Sequence, residues 1–219
     1  MNLSPLHSYM TELHQKYADL HDGEVADYIP ELSKTNPDYF GIVLVTVDGH
    51  VYSIGDTEIA FTMQSISKPF TFGIALEDTG ADYLRSKINV EPSGEAFNRI
   101  SLEHKTGRPR NPMINAGAIA TVGQIKGENG EEVFSRIIEN YSRVAGNKLN
   151  IDDDVYQSEK HTGHRNRAIA HLLLNSGAIE GNPEEILDVY FKQCSILVTC
   201  KDLAVMAATL ANQGRNPLS

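Results

Sequence analysis

The stretch FTMQSISKPFTFGIALEDTG, residues 61–80, places Ser65 three residues ahead of Lys68 at the opening of an apolar helical pattern. Residues three apart on a helix share a face. A hydroxyl and an amine are therefore expected side by side at the start of a segment whose other residues belong to a core. At an N-cap or in a first turn, the Ser65 hydroxyl would lie where backbone N–H groups and the positive end of the helix dipole stabilise developing negative charge. The same field disfavours a cation and burial adds to it, so the Lys68 amine is expected to give up its proton more easily than an ordinary lysine. Ser-x-x-Lys in that setting is a nucleophile beside its base. On these two residues alone the blander reading is favoured, a capping serine followed by a solvated lysine. Two fixed positions in four recur often by chance, and the rest of the chain has to decide.

With 219 residues the chain can bury a full core, as one large domain or two small lobes. Its 29 acidic and 19 basic residues give a formal charge of -10, which excludes a field able to hold a nucleic acid backbone or an anionic membrane surface. The opening MNLSPLHSYMTELHQKY has no basic region followed by an apolar core, and no apolar run reaches membrane-spanning length, so a soluble cytoplasmic protein is expected. The two cysteines, Cys194 and Cys200 in QCSILVTCKD, have neither CxxC nor histidine spacing and read as buried thiols.

Outward from Ser65 toward the N-terminus, FGIVLVTVDGHVYSIGD has two β-rich runs around Asp48-Gly49, a hairpin signal expected to form a type I′ turn. The first run is apolar on both faces and calls for cover by helices. Before it, DGEVADYIPEL reads as a short helical stretch ending near Pro30. Ser4-Pro5 opens a helix as N-cap and first residue, with Leu6, Tyr9, Met10, Leu13, Tyr17 and Leu20 at helical spacing. After Ile59 the pattern is helical, and several helices are expected to end on a C′ glycine at Gly80, Gly146, Gly177 and Gly214. Two strands with many helices make a sheet that looks unfinished.

Three further polar stretches carry candidate chemistry. In RPRNPMINAGAIATV, Asn115 stands where an N-cap is expected for a small-residue helix. In YQSEKHTGHRNRAIA, Glu159, His161, His164 and Asn166 share a polar stretch before a helix; the histidines lack a third ligand at metal-binding spacing and read as surface residues. Lys105-Thr106-Gly107 spells the K-T-G that accompanies Ser-x-x-Lys in β-lactamases, but LEHKTGRPRNP is polar and proline-interrupted, hence a loop.

Taken together, ADYIPEL, VDGHVYSIGD, FTMQSISKPF, EPSGEAFN, NPMINAGAIA, SEKHTGHRNRAIA and VYFKQCSILVTCKDLAVMAATLANQGRNP resemble, in this order, the serine-dependent glutaminase family. The resemblance runs from about Tyr28 to the last residues. It implies an α+β fold of the β-lactamase/transpeptidase type, an antiparallel sheet flanked by helices plus a helical lobe, and hydrolysis of L-glutamine to L-glutamate and ammonia. The chain is then one glutaminase domain over residues 1–219, with N-terminal helices and hairpin to about residue 60 and a mainly helical lobe over 61–219. Family members continue further, so the strands that would complete the sheet are expected to be missing. Carried over by position, Ser65 resembles the nucleophile, Lys68 the base and Tyr28 a tyrosine sharing in proton transfer or substrate contact. Asn115, Glu159, Asn166 and Tyr190 match substrate-binding residues, and Ser65 also meets the substrate. A carboxylate suits an α-ammonium group, and neutral donors suit an α-carboxylate. No metal or organic cofactor is called for, and the family implies a homodimer or homotetramer. The alternatives are a related Ser-x-x-Lys amidohydrolase or acyl transferase, and a catalytically inactive fragment of a glutaminase.

Overall fold

Ser4 caps the first helix, its Oγ accepting the His7 N–H at 3.2 Å, and Pro5 takes the first helical position as the opening pattern predicts. The structure is a computed structural model and describes residues 4–219. In chain order the elements are α1 (Pro5–Tyr17), β1 (Gly41–Val45), β2 (Val51–Gly55), β3 (Phe61–Thr62), α2 (Lys68–Thr79), α3 (Ala81–Lys87), α4 (Asn115–Val122) and α5 (Gly130–Ala145). There follow β4 (Asn150–Ile151), α6 (Asp153–Thr162), α7 (His164–Asn175), α8 (Pro183–Cys194), β5 (Ile196–Val198) and α9 (Cys200–Ala211). This is an α+β arrangement. It divides into two units: the first takes the chain up to Thr62 with Tyr141–Asn150 and Leu197–Ser219, and the second takes Met63–Asn140 with Ile151–Ile196.

In the first unit β1 and β2 form the expected antiparallel hairpin, in register from Gly41↔Gly55 to Val45↔Val51. The turn differs from the expectation. Thr46 still pairs with His50, whose carbonyl accepts the Thr46 N–H at 3.0 Å, and Gly49, with φ 88°, is the turn residue at positive φ. The connection is thus a three-residue loop ending in a left-handed glycine, because a type I′ turn would need positive φ at Asp48 as well. The Thr46 hydroxyl, which donates to the Asp48 carboxylate, supports this geometry. β1 is half-buried along its length and packs against α9, while α1 packs against both strands. A reciprocal capping box between Thr199 and Asp202 starts α9.

The segment before Pro30 is also corrected. Residues 22–29 are irregular, and Pro30 opens a 3-10 turn, Pro30–Lys34, instead of ending a helix. Proline's fixed φ and missing N–H suit a first position better than a last one. β3 pairs antiparallel with β5 through Phe61↔Val198 and Thr62↔Leu197, and the three short strands run in the order β3-β5-β4. None of these was expected, since two or three residues carry no readable period.

The second unit is built around α4, whose residues Ala116 to Val122 are all buried. An apolar helix with no polar face must be enclosed, and its small side chains let α2, α7 and α8 pack against it. The four glycines expected at helix ends, Gly80, Gly146, Gly177 and Gly214, all have φ between 71° and 81°. The Lys105-Thr106-Gly107 stretch lies in a turn, as expected. Among the described residues no helix is long and apolar enough to cross a membrane.

Candidate active site

Lys68 opens α2, but the residues before it do not extend that helix. Gln64–Ser67 form a 3-10 turn, and Gln64 has φ 47°. A left-handed non-glycine residue costs roughly 1–3 kcal/mol and persists only where its surroundings hold it. Ser65, next in the turn, is exposed. The cap position of α2 belongs to Ser67, so Ser65 stands one tight turn ahead of the α-helix and not at its cap.

Lys68 is buried, with 2% of its surface exposed. Its Nζ donates to Asn115 Oδ1 at 2.8 Å and lies 5.4 Å from the centre of the Phe97 ring. Burial lowers its pKa to about 8, against partial compensation from the nearby Cys194 and Glu159 side chains. Asn115 is not the N-cap that its sequence position suggests. Ile114 holds that place with extended backbone, and Asn115 is the first helical residue. Its amide is therefore free for side-chain contacts: Oδ1 accepts from Lys68, and Nδ2 donates to Asn166 Oδ1 at 3.2 Å. Gly117 seats this helix end. A Cβ there would fall 1.9 Å from the Asn111 carbonyl oxygen, so only glycine lets α4 approach the Asn111-Pro112 turn so closely.

Glu159 and Asn166, read from the sequence as one polar stretch before a helix, lie in two successive helices, α6 and α7. Asp152 begins α6 by accepting the Val155 N–H at 3.0 Å. Asp188 on α8 accepts from the Tyr156 hydroxyl and from Lys160 Nζ, which fixes α6 against α8. Glu159, between these anchors, is 6% exposed, and its Oε2 has no hydrogen-bond partner among the described residues. Burial raises its pKa to about 8, with the Lys68 charge pulling the other way. Tyr190 is buried on α8, four residues before Cys194. Burial pushes the Cys194 thiol well up, and a hydrogen bond with Tyr190 offsets part of that.

Of the expected site residues, the second unit thus contains Ser65, Lys68, Asn115, Glu159, Asn166 and Tyr190, while Tyr28 belongs to the first unit, exposed and ahead of Pro30. Both cysteines are free thiols; Cys194 is buried but Cys200 is only half-buried, which corrects the reading of both as buried. His161 and His164 are exposed. Among the described residues no group of three or more His, Cys, Asp or Glu is placed to hold a metal ion. Sequence reasoning missed the Phe97 ring beside Lys68 and the buried pair Ser67 and Gln193, in which Gln193 Nε2 donates to Ser67 Oγ at 2.9 Å. The members of each of these pairs are far apart in sequence, and no local pattern links them.

The family model described as Glutaminase matches residues 23–219. A glutaminase from Trichormus variabilis is 56% identical over 216 residues, which cover 99% of this chain and 65% of the relative. Glutaminase 2 of Bradyrhizobium diazoefficiens is 53% identical over 98% of this chain and 34% of its own length. Among solved structures, Mglu in its glutamate form superposes with TM-score 0.94 at 42% identity, covering 100% of this chain and 51% of that one. The probable glutaminase ybaS gives TM-score 0.94 at 40% identity, covering 100% and 71%. The chain thus spans less than two thirds of the length of the Trichormus relative, at 65%.

Proposed function

The chain belongs to the glutaminase family, and from that premise we propose that the full-length protein hydrolyses L-glutamine to L-glutamate and ammonia through an acyl-enzyme on Ser65. The observation that carries this reading is a buried lysine with a pKa near 8, three residues after an exposed serine. Lys68 takes the Ser65 hydroxyl proton as Oγ attacks the side-chain amide carbon. The tetrahedral intermediate then collapses: the C–N bond breaks, and ammonia leaves with the proton that Lys68 held. Water attacks the resulting glutamyl ester with Lys68 again as base, releasing glutamate and restoring the Ser65 hydroxyl. The Ser65 N–H sits in the first turn of a 3-10 segment, where an N–H has no acceptor within the segment, and it serves as one oxyanion donor.

Glu159 receives the substrate's α-ammonium group. A buried carboxylate with an unpartnered oxygen is matched by a cation that brings its own hydrogen-bond donors, and binding it restores the ionised form. Asn166 has its Oδ1 taken by Asn115, so its Nδ2 hydrogens serve the α-carboxylate together with Tyr190. Tyr28 assists proton transfer or substrate contact on the strength of the family resemblance alone, which also supports a homodimer or homotetramer. The glutamate form of Mglu supports glutamate as the product.

The test compares ammonia release from L-glutamine and L-asparagine with turnover of a chromogenic β-lactam by the full-length protein. Turnover confined to L-glutamine is expected. Turnover of the β-lactam alone would transfer the site to a different acyl-transfer chemistry.

A further inference from the structure

We infer that Gln193 is a positioning residue for the Ser65 turn, acting through Ser67; the inference rests on the proposed role of Ser65 as nucleophile. Gln193 on α8 and Ser67 at the end of the 3-10 turn are both fully buried, at 0% exposure. Gln193 Nε2 donates to Ser67 Oγ at 2.9 Å, and Ser67 Oγ donates to the Gln64 carbonyl at 2.6 Å. A hydroxyl that accepts on a lone pair and gives its only proton fixes the direction of this chain, from the amide through the hydroxyl to the carbonyl. The carbonyl at its end belongs to the left-handed residue immediately before Ser65. Backbone bonds also anchor the turn: the Met63 N–H donates to the Ile196 carbonyl at 2.9 Å, the Ile66 N–H to the Met63 carbonyl at 3.1 Å, and the Lys68 N–H to the Ser65 carbonyl. The exposed serine is thereby suspended between backbone groups that are tied to buried partners.

Stability gives a poor account of an amide at this position. Gln193 Oε1 is buried and has no hydrogen-bond partner among the described residues. A buried, unpartnered amide oxygen is destabilising, and an apolar side chain of similar size would avoid the penalty. What an apolar residue could not supply is the donor that holds Ser67, and through it the strained Gln64. The amide serves the geometry of Ser65 at a cost to stability, as strained functional sites do elsewhere.

The test uses the full-length protein and its Gln193→Leu, Ser67→Ala, Gln193→Leu/Ser67→Ala and Ser65→Ala variants, with kcat and KM for ammonia release and the melting temperature measured on each. Gln193→Leu is expected to lower kcat about 10- to 100-fold, the scale of a small misplacement of a reacting group, with KM within about twofold of the parent and no fall in melting temperature. Ser67→Ala is expected to lose a similar factor. The double variant is expected to lose no more than either single one, because one chain of bonds can be broken only once. An unchanged kcat in Gln193→Leu, losses that multiply in the double variant, or a kcat loss matched by a fall in melting temperature would each overturn the inference. So would a Gln193→Leu protein that fails to fold, since the amide would then serve stability. Activity retained by Ser65→Ala would instead remove the acyl-enzyme reading, whatever the relay variants do.

Discussion

A lysine held at about 8 is roughly one-quarter neutral at pH 7.5, against about one molecule in a thousand for an unperturbed lysine. In its proposed role as base Lys68 is thus available without being weak, and kcat is expected to rise with pH until it levels above about 8. Lys68→Arg keeps charge and approximate size but cannot release a proton, so a fall in kcat of about 100- to 10,000-fold is expected in steady-state assays. Glu159 has the opposite shift. A carboxyl raised from 4.5 to about 8 on folding binds extra protons in the folded state across that window, so its contribution to stability is full below 4.5 and is lost as pH rises through 8. Lys68, lowered from 10.5 to about 8, contributes fully only above 10.5 and loses that contribution as pH falls through 8. Glu159→Gln removes the first of these slopes. Calorimetry is expected to find its melting temperature gaining on the parent between pH 5 and pH 9, while KM for L-glutamine is expected to rise if, as proposed, this charge meets the α-ammonium group. A melting-temperature difference independent of pH would contradict the desolvated carboxyl. The local spacing singled out Ser65 and Lys68 as candidates, and the family resemblance, not the spacing, gave them their expected roles; what the fold adds is the burial of Lys68 beside Asn115. Asn115 was misread as a cap because asparagine before a helix usually is one, and only the fold shows that Ile114 holds the cap while the amide turns to Lys68.

At the scale of elements, α4 decides where Asn115 sits, and Gly117 decides where α4 sits. A methyl group at 117 meets the Asn111 backbone carbonyl, which cannot move aside as a flexible side chain could. Gly117→Ala is therefore expected to cost about 1–3 kcal/mol, read as a fall of roughly 2–4 °C in melting temperature per kcal/mol, and to lower kcat by displacing Asn115 from Lys68. A variant with parental stability and activity would show that the Asn111-Pro112 turn yields. The long elements were readable where hydrophobic period agrees with a terminal signal, the Ser4-Pro5 start in α1 and Gly214 after α9. The short ones were not. β3, β4 and β5 exist through pairing between distant segments, and the Asp48-Gly49 turn took its form from the pairing of Thr46 with His50. Helix α6 was hidden because its exposed face is strongly polar, and a polar run reads as a loop.

At the scale of the molecule, the first unit gathers three separate stretches, up to Thr62, Tyr141–Asn150 and Leu197–Ser219, with no change of composition at their boundaries to announce it. Such an arrangement is set by which surfaces bury one another, and that is not written locally. Light scattering on the full-length protein is expected to give a homo-oligomer, and a monomer at working concentrations would count against the family-based assembly. The central claim is that Ser65 forms a covalent glutamyl ester. The most direct measurement is rapid acid quenching of the full-length protein during L-glutamine turnover, followed by mass analysis of the peptide that carries Ser65. The account predicts a glutamyl adduct on Ser65, formed in step with an ammonia burst and absent from the Ser65→Ala variant, which is also inactive. Turnover that continues in Ser65→Ala with no adduct on the parent peptide would mean that water attacks the amide directly, and the account would be wrong.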